Sequence, residues 1–163
     1  MRVAAEIEIG APPEEVWAFV DEPARYLHFM SGVTRWEVTG TTPTGLGARF
    51  RMFMHVGSAE VGGLVEVVEY DPPCDMAWVS VVGIDQRGRW RLRTDPSRPG
   101  RTHVELRISY GVAGSGLFGW IAEKVAAPTV RGHLRRSLQQ LKRQVEHEQL
   151  RSAAAARRAA RVG

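Results

Sequence analysis

The residues with the chemistry to serve as nucleophiles, bases or metal ligands are few and scattered. His28, His55, His103, His133 and His147 share no ligand spacing, and no His-Glu-x-x-His pattern occurs. Cys74 is the single cysteine, which excludes an internal disulfide framework and a cysteine-cluster zinc site. Neither a metal nor a cofactor is expected. Gly114-Ser115-Gly116 lacks the spacing of a Gly-x-Ser-x-Gly nucleophile elbow. The stretch Gly114-Ser115-Gly116-Leu117-Phe118-Gly119 does match G-x-G-x-x-G. A dinucleotide site, however, also needs a following parallel strand and an acidic residue about 20 positions on, and the sequence supplies neither. The glycines read instead as a joint where a strand and a helix approach closely, suited to act as a lid. Two groups remain for proton chemistry: Tyr110, which could donate to a ligand carbonyl, and His28, an acid or base near neutral pH. The plainer readings are a core tyrosine bonded to backbone and a surface histidine.

The elements that must position these groups are legible from periodicity. Residues 3 to 9 alternate, with Val3, Ala5, Ile7 and Ile9 on one side, as in a half-buried strand. Pro12-Pro13-Glu14-Glu15 then opens a short helix through Val20, since proline and acidic residues suit a helix start. Pro23 begins a second turn or helix with Tyr26, Phe29 and Met30 inward, and Asp21, Arg25 and His28 should border the mouth of whatever lies beneath. From Val33 to about Arg107 the sequence is strand after strand, broken by loops rich in glycine and proline. Arg87 to Arg93 and His103 to Ser109 are expected to pair antiparallel, placing the arginine face beside Glu105.

A long amphipathic helix, from about Ser115 to Glu148, follows these strands. Leu117, Ile121, Val125, Val130, Leu134, Leu138, Leu141 and Val145 form its apolar stripe. Pro128 should kink it or change its direction near Ala127. A sheet with one apolar face and one long amphipathic helix must bury each against the other. The fold class is therefore α+β: a curved antiparallel sheet of about seven strands wrapped around a C-terminal helix, with two short helices after the first strand.

At 163 residues and 44% hydrophobic content, the chain suits one domain with a substantial core. Residues 1–148 read as that domain and 149–163 as a basic Ala/Arg tail. The formal charge of +4 is uneven: from Arg131 onward nine Lys or Arg face only Glu146 and Glu148, so the body is mildly acidic and the end basic. Such an end can touch an anionic membrane surface. Nucleic acid is not the expected partner, and a solvated helix face running into a frayed tail is the plainer account. No window approaches the roughly 18 apolar residues of a membrane span, and no signal-peptide run opens the chain, so a cytoplasmic protein is expected. Monomer and homodimer both remain open.

Three phrases carry a resemblance. They are Glu8-Ile9-Gly10-Ala11-Pro12-Pro13-Glu14-Glu15-Val16-Trp17, then Tyr26 to Val33, then Val67-Val68-Glu69-Tyr70-Asp71-Pro72-Pro73 with Trp78 after it. In this order they resemble the START-like or Bet v 1-like (SRPBCC) superfamily with its helix-grip fold, and within it the bacterial polyketide cyclase/dehydrase and lipid-transport group. The likeness runs from residue 2 to about 148. It implies an elongated pocket between sheet and helix for a lipid, polyketide, quinone or other small apolar ligand. Aromatase/cyclase members commonly have a Trp-Pro pair where this chain reads Tyr26-Leu27-His28-Phe29, so no catalytic residue is carried over from them.

Strand alternation by itself gives the expected lining: Trp36, Phe50, Met52, Met54, Val65, Met76, Trp78, Trp90 and Tyr110 from the sheet, Phe29 from the second short helix, and Phe118, Ile121 and Val125 from the long helix. Val38, Gly63, Val67, Leu92, Leu106 and Ser80 share the inward faces. Such a mostly apolar set with few polar groups fits a small-molecule site, and equally fits a packed core. Binding of a hydrophobic or amphipathic ligand is the first expectation, and a polyketide cyclase or dehydratase the second. An interaction module using the basic helix and tail is the third.

Overall fold

The computed structural model describes residues 1–111 and 117–162, with side chains for 1–111 and 127–161. The expected hinge at Gly114 and Gly116 and the expected lining from Phe118, Ile121 and Val125 lie outside the residues and side chains so described. Strand β1 (Arg2–Ile9) leads into α1 (Pro13–Val20), a 3-10 turn (Pro23–Arg25) and the short α2 (Tyr26–Phe29). Six strands follow in an unbroken series: β2 (Val33–Thr39), β3 (Arg49–Val56), β4 (Ala59–Asp71), β5 (Asp75–Gly83), β6 (Gln86–Thr94) and β7 (Thr102–Tyr110). Helix α3 (Leu117–Val162) follows them. The strands form one seven-stranded antiparallel sheet in the order β1-β7-β6-β5-β4-β3-β2, curled into a half-barrel. Every neighbouring pair except β1 and β7 is consecutive in sequence, as short connections require.

Alternation decides which side chains enter the core. In β6 and β7, Gly88, Trp90 and Leu92 stand opposite Ile108, Leu106 and Val104, and all six are buried. The outward register is also as expected, with Arg91 opposite Glu105. The charges nevertheless partner differently. Glu105 takes Arg107 of its own strand, whereas Arg91 and Arg93 reach Asp75 at 3.3 and 2.5 Å, and Arg89 pairs with Glu69. Asp75 attracts them because it is a nearly buried carboxylate at the turn into β5. Burial works against its charge, but the hydrogen bonds from Arg93 and Arg91 outweigh that and hold the carboxyl below its usual range.

The stripe of α3 is seated by Val130, Leu134, Leu138, Leu141 and Val145, each at most 3% exposed. The helix packs on β1 and on α1 and α2. Polar groups rim this seam. Lys142 Nζ donates to the Glu8 carbonyl at 2.7 Å, Gly10 N–H donates to Glu146 at 2.9 Å, and Gln144 Nε2 donates to the His28 carbonyl at 2.9 Å. Ser31 N–H donates to the Ser137 hydroxyl at 2.8 Å, and Arg136 Nε to the Ser31 hydroxyl at 3.1 Å, so the loop after α2 is tied to the same helix.

Pro128 lies inside α3, within the run where the sequence placed it. One expectation needs correction. The segment after Glu148 is not frayed but stays helical to Val162, with residues 151–161 all exposed. Among the described residues no helix is long and apolar enough to cross a membrane.

Truncating Leu138 to alanine should remove about 2–5 kcal/mol from the unfolding free energy, read from urea denaturation, because its pocket cannot collapse between helix and sheet. Asp75→Asn should lower stability at neutral pH. Since the native carboxyl titrates below its unfolded value of 3.8, that contribution is present above this value and fades as the pH falls through the native one. Melting curves of the two proteins should therefore converge in acid.

Candidate binding pocket

The covering of the concave face by α1 and α2 is incomplete where these elements meet β2 to β5. A pocket opens there, lined by Val20, Asp21, Pro23, Tyr26, Trp36, Thr44, Gly45, Phe50, Val67, Met76 and Trp78. Its free volume, measured for the centre of a water-sized sphere, is about 10 Å³, room for roughly one water molecule.

An aromatic column forms the wall. Tyr26 stacks on Trp36 with centroids 4.0 Å apart and planes 11° apart, and Trp36 stacks in turn on Phe50 at 5.3 Å. On its other side Tyr26 meets Phe29, which meets Trp90 edge-on at 6.2 Å, so the column continues into the core. The Tyr26 hydroxyl donates to the Val20 carbonyl at 2.6 Å, and its complete burial pushes its pKa up.

Trp78 owes its place to a glycine. Gly88 stands opposite it across β5 and β6. A Cβ added at Gly88 would come within 1.9 Å of the indole. Only a residue without a side chain lets this ring lie flat over β6.

Asp21, the residue that ends α1, supplies the carboxyl of this lining. Its Oδ2 accepts a hydrogen bond from the Tyr70 hydroxyl at 2.9 Å. Desolvation raises the carboxyl above its ordinary range, opposed by the Tyr70 bond and reinforced by nearby Glu22. Burial and the same hydrogen bond raise the Tyr70 phenol. Three buried polar atoms of the lining residues have no hydrogen-bond partner among the described residues: Asp21 Oδ1, Trp36 Nε1 and Trp78 Nε1.

Of the residues expected to line a cavity, Trp36, Phe50, Val67, Met76 and Trp78 meet in this pocket. Phe29, Met52, Met54, Val65 and Trp90 are buried but stand outside its lining. Tyr110 sits half-buried at the end of β7, its hydroxyl on Met1 Sδ at 3.4 Å and its carbonyl accepting from the Met1 ammonium at 2.6 Å. His28 is exposed and engages α3 through its backbone. Ser80 accepts from the Gln86 N–H at 3.1 Å and thereby braces the turn between β5 and β6. Val38 shares the inward face with Trp36 but lies on the edge strand and is 41% exposed.

Tyr70 escaped the alternation because β4 contains a bulge. Register shifts between Val67 and Glu69, so Val67 pairs with Trp78 but Tyr70, not Glu69, pairs with inward-facing Met76. The Asp71-Pro72-Pro73 turn directly after it was the available signal that the strand would twist there.

With this geometry in hand, the comparisons define the class. The family model described as polyketide cyclase / dehydrase and lipid transport matches residues 1–146, and the chain belongs to that family. Among solved structures it is similar to TTHA0849 from Thermus thermophilus, at 22% identity and TM-score 0.77, covering 91% of this chain and 99% of that one. It is similar too to the Zhui aromatase/cyclase from Streptomyces sp. R1128, at 17% identity and TM-score 0.74, covering 90% and 93%. A START superfamily protein from Mycobacterium smegmatis aligns at 14% identity and TM-score 0.67, covering 90% and 97%. At these identities the likeness establishes the fold, a START-like helix grip. No curated protein matches the sequence.

Gly88→Ala should force the Trp78 indole out of its site and cost about 1–3 kcal/mol of stability. Near-ultraviolet circular dichroism should register the lost tryptophan environment, while far-ultraviolet spectra stay unchanged.

Proposed function

We propose that this protein binds a small hydrophobic or amphipathic molecule, of lipid, polyketide or quinone type, on the concave side of its sheet. The observation that carries this reading is the pocket beneath α1 and α2, walled by Tyr26, Trp36, Phe50, Met76 and Trp78. A mostly apolar concavity with a few placed polar groups is what small-molecule recognition requires. Family membership supports it, since the family description names both cyclisation and lipid transport. The free volume in this structure is small, so the ligand enters by displacing side chains around the Thr44–Gly45 loop and the thioether of Met76, a flexible side chain suited to such movement.

A catalytic version, cyclisation or dehydration of a poly-carbonyl chain, is favoured by one observation. Asp21 is a carboxyl raised by burial, hydrogen-bonded to Tyr70, at the pocket wall. A group so tuned can hold or release a proton nearer neutral pH than a free aspartate. Tyr110 and His28, the groups first expected to transfer protons, belong to this version only if the substrate reaches beyond the described pocket.

Native mass spectrometry of the protein purified from its own host should reveal an apolar compound released on denaturation. Ligand-free protein that also fails to take up a neutral apolar dye such as Nile red would overturn the binding reading. Turnover of a poly-β-ketone that falls at least tenfold in Asp21→Asn would select the catalytic version.

A further inference from the structure

The polar atoms of the pocket specify more than its apolar walls do. Trp36 is 8% exposed and Trp78 3%, and the indole N–H of each lacks an acceptor among the described residues. Asp21 Oδ1, in the same lining, lacks a donor among them. Burying such groups unpaired is costly, and a bound molecule that completes them recovers that cost. The group required must accept from an indole and donate to a carboxylate. An ammonium has donors but no lone pair for the indoles, and a carboxylate or phosphate has acceptors but no hydrogen for Asp21. An ether or ketone oxygen satisfies the indoles alone. A hydroxyl does both, and it reaches these atoms, each with almost no accessible surface, through the same side-chain displacement by which the ligand enters. Glu22, adjacent to Asp21, adds further negative charge against an anionic head.

We propose that the pocket is a hydroxyl seat: an alcohol or phenol at one end of an otherwise apolar ligand accepts from Trp36 or Trp78 Nε1 and donates to Asp21 Oδ1. This rests on the apolar-ligand reading above and names the chemical class of that ligand's polar end. Tyr70 acts as a positioning residue, holding Oδ2 so that Oδ1 is left for the ligand.

The test uses the full chain and four probes that share one ring system: naphthalene, 2-naphthol, 2-methoxynaphthalene and 2-naphthoate, titrated by calorimetry at pH 7. 2-Naphthol should bind about tenfold or more tighter than 2-methoxynaphthalene, the difference expected for one hydrogen bond to a charged acceptor. 2-Methoxynaphthalene, which keeps the acceptor, should in turn bind tighter than naphthalene, and 2-naphthoate should bind more weakly than the naphthol. In Asp21→Ala the naphthol and methoxy affinities should become equal while naphthalene is unaffected. In the Trp36→Phe, Trp78→Phe double variant 2-methoxynaphthalene should lose its advantage over naphthalene, while 2-naphthol keeps the part of its advantage owed to Asp21. Equal affinities of all four probes for the unaltered protein would overturn the hydroxyl seat and leave the apolar pocket standing. Tightest binding of 2-naphthoate would overturn it in favour of an anion site. Failure of every probe, naphthalene included, would remove the apolar reading and the seat together. The comparison within the unaltered protein decides the matter even where a variant does not fold.

Discussion

A sheet with one apolar face has to be covered, and in this chain the cover is divided between two unlike elements. Helix α3 seats a regular aliphatic stripe, Val130 to Val145, against β1 and the backs of α1 and α2. That seam is aliphatic in the middle and rimmed by Lys142, Gln144, Glu146 and the Ser31–Arg136 contacts. The short helices lie against β6 and β2 and also pack on α3. Their fit is less regular, since a turn at Pro23 and a four-residue helix cannot present a continuous stripe. The pocket is where that irregular cover meets the sheet. Its existence is thus a consequence of how the covering is shared, and its walls are the residues on both sides of the gap.

What fills the gap is mostly aromatic, and aromatic rings impose geometry as well as area. The stack Tyr26–Trp36–Phe50 fixes three rings from three elements in one column. Trp78 completes the opposite wall only because β6 has no side chain at Gly88. The electrostatics are set by the same packing. Asp21 ends α1 where the chain must turn, and burial there raises its carboxyl above the ordinary range while the Tyr70 hydrogen bond works the other way. A carboxylate on an open surface loop would have had no such bias.

Much of this was readable from residue order. Strict alternation from Val3 to Tyr110 gave the strands, their inward faces and the pairing of Arg87–Arg93 with His103–Ser109. Trp36, Phe50, Met76 and Trp78 were identified as inward because a period of two leaves no other choice. The pattern failed where the backbone departs from that period. The bulge at Val68 moves Tyr70 inward, and no alternation rule counts an inserted residue. Gly45 and Thr44 reach the pocket from a loop whose path periodicity does not describe. Residue order also could not separate lining from core: Trp90 and Met52 alternate just as Trp78 does and are as fully buried, yet they stand outside the pocket lining. For the outer face the register was right and the partners were not. Arg91 had Glu105 beside it and turned to Asp75, which stands directly opposite it on the neighbouring strand β5.

The last turns of α3 show how one docked element organises another. Residues 149–162 would extend roughly 21 Å as helix, and a peptide of that length is marginal in water because starting a helix fixes several residues for a single hydrogen bond. Here the seated turns before them act as the nucleus, so each added residue, many of them alanine, only propagates what already exists. The side chains of Arg151, Arg157, Arg158 and Arg161 are thereby fixed within an arc of about 120° along one side, with most of the alanines opposite. The folded body serves as template for a ruled array of positive charge that the same residues, cut free, would lose.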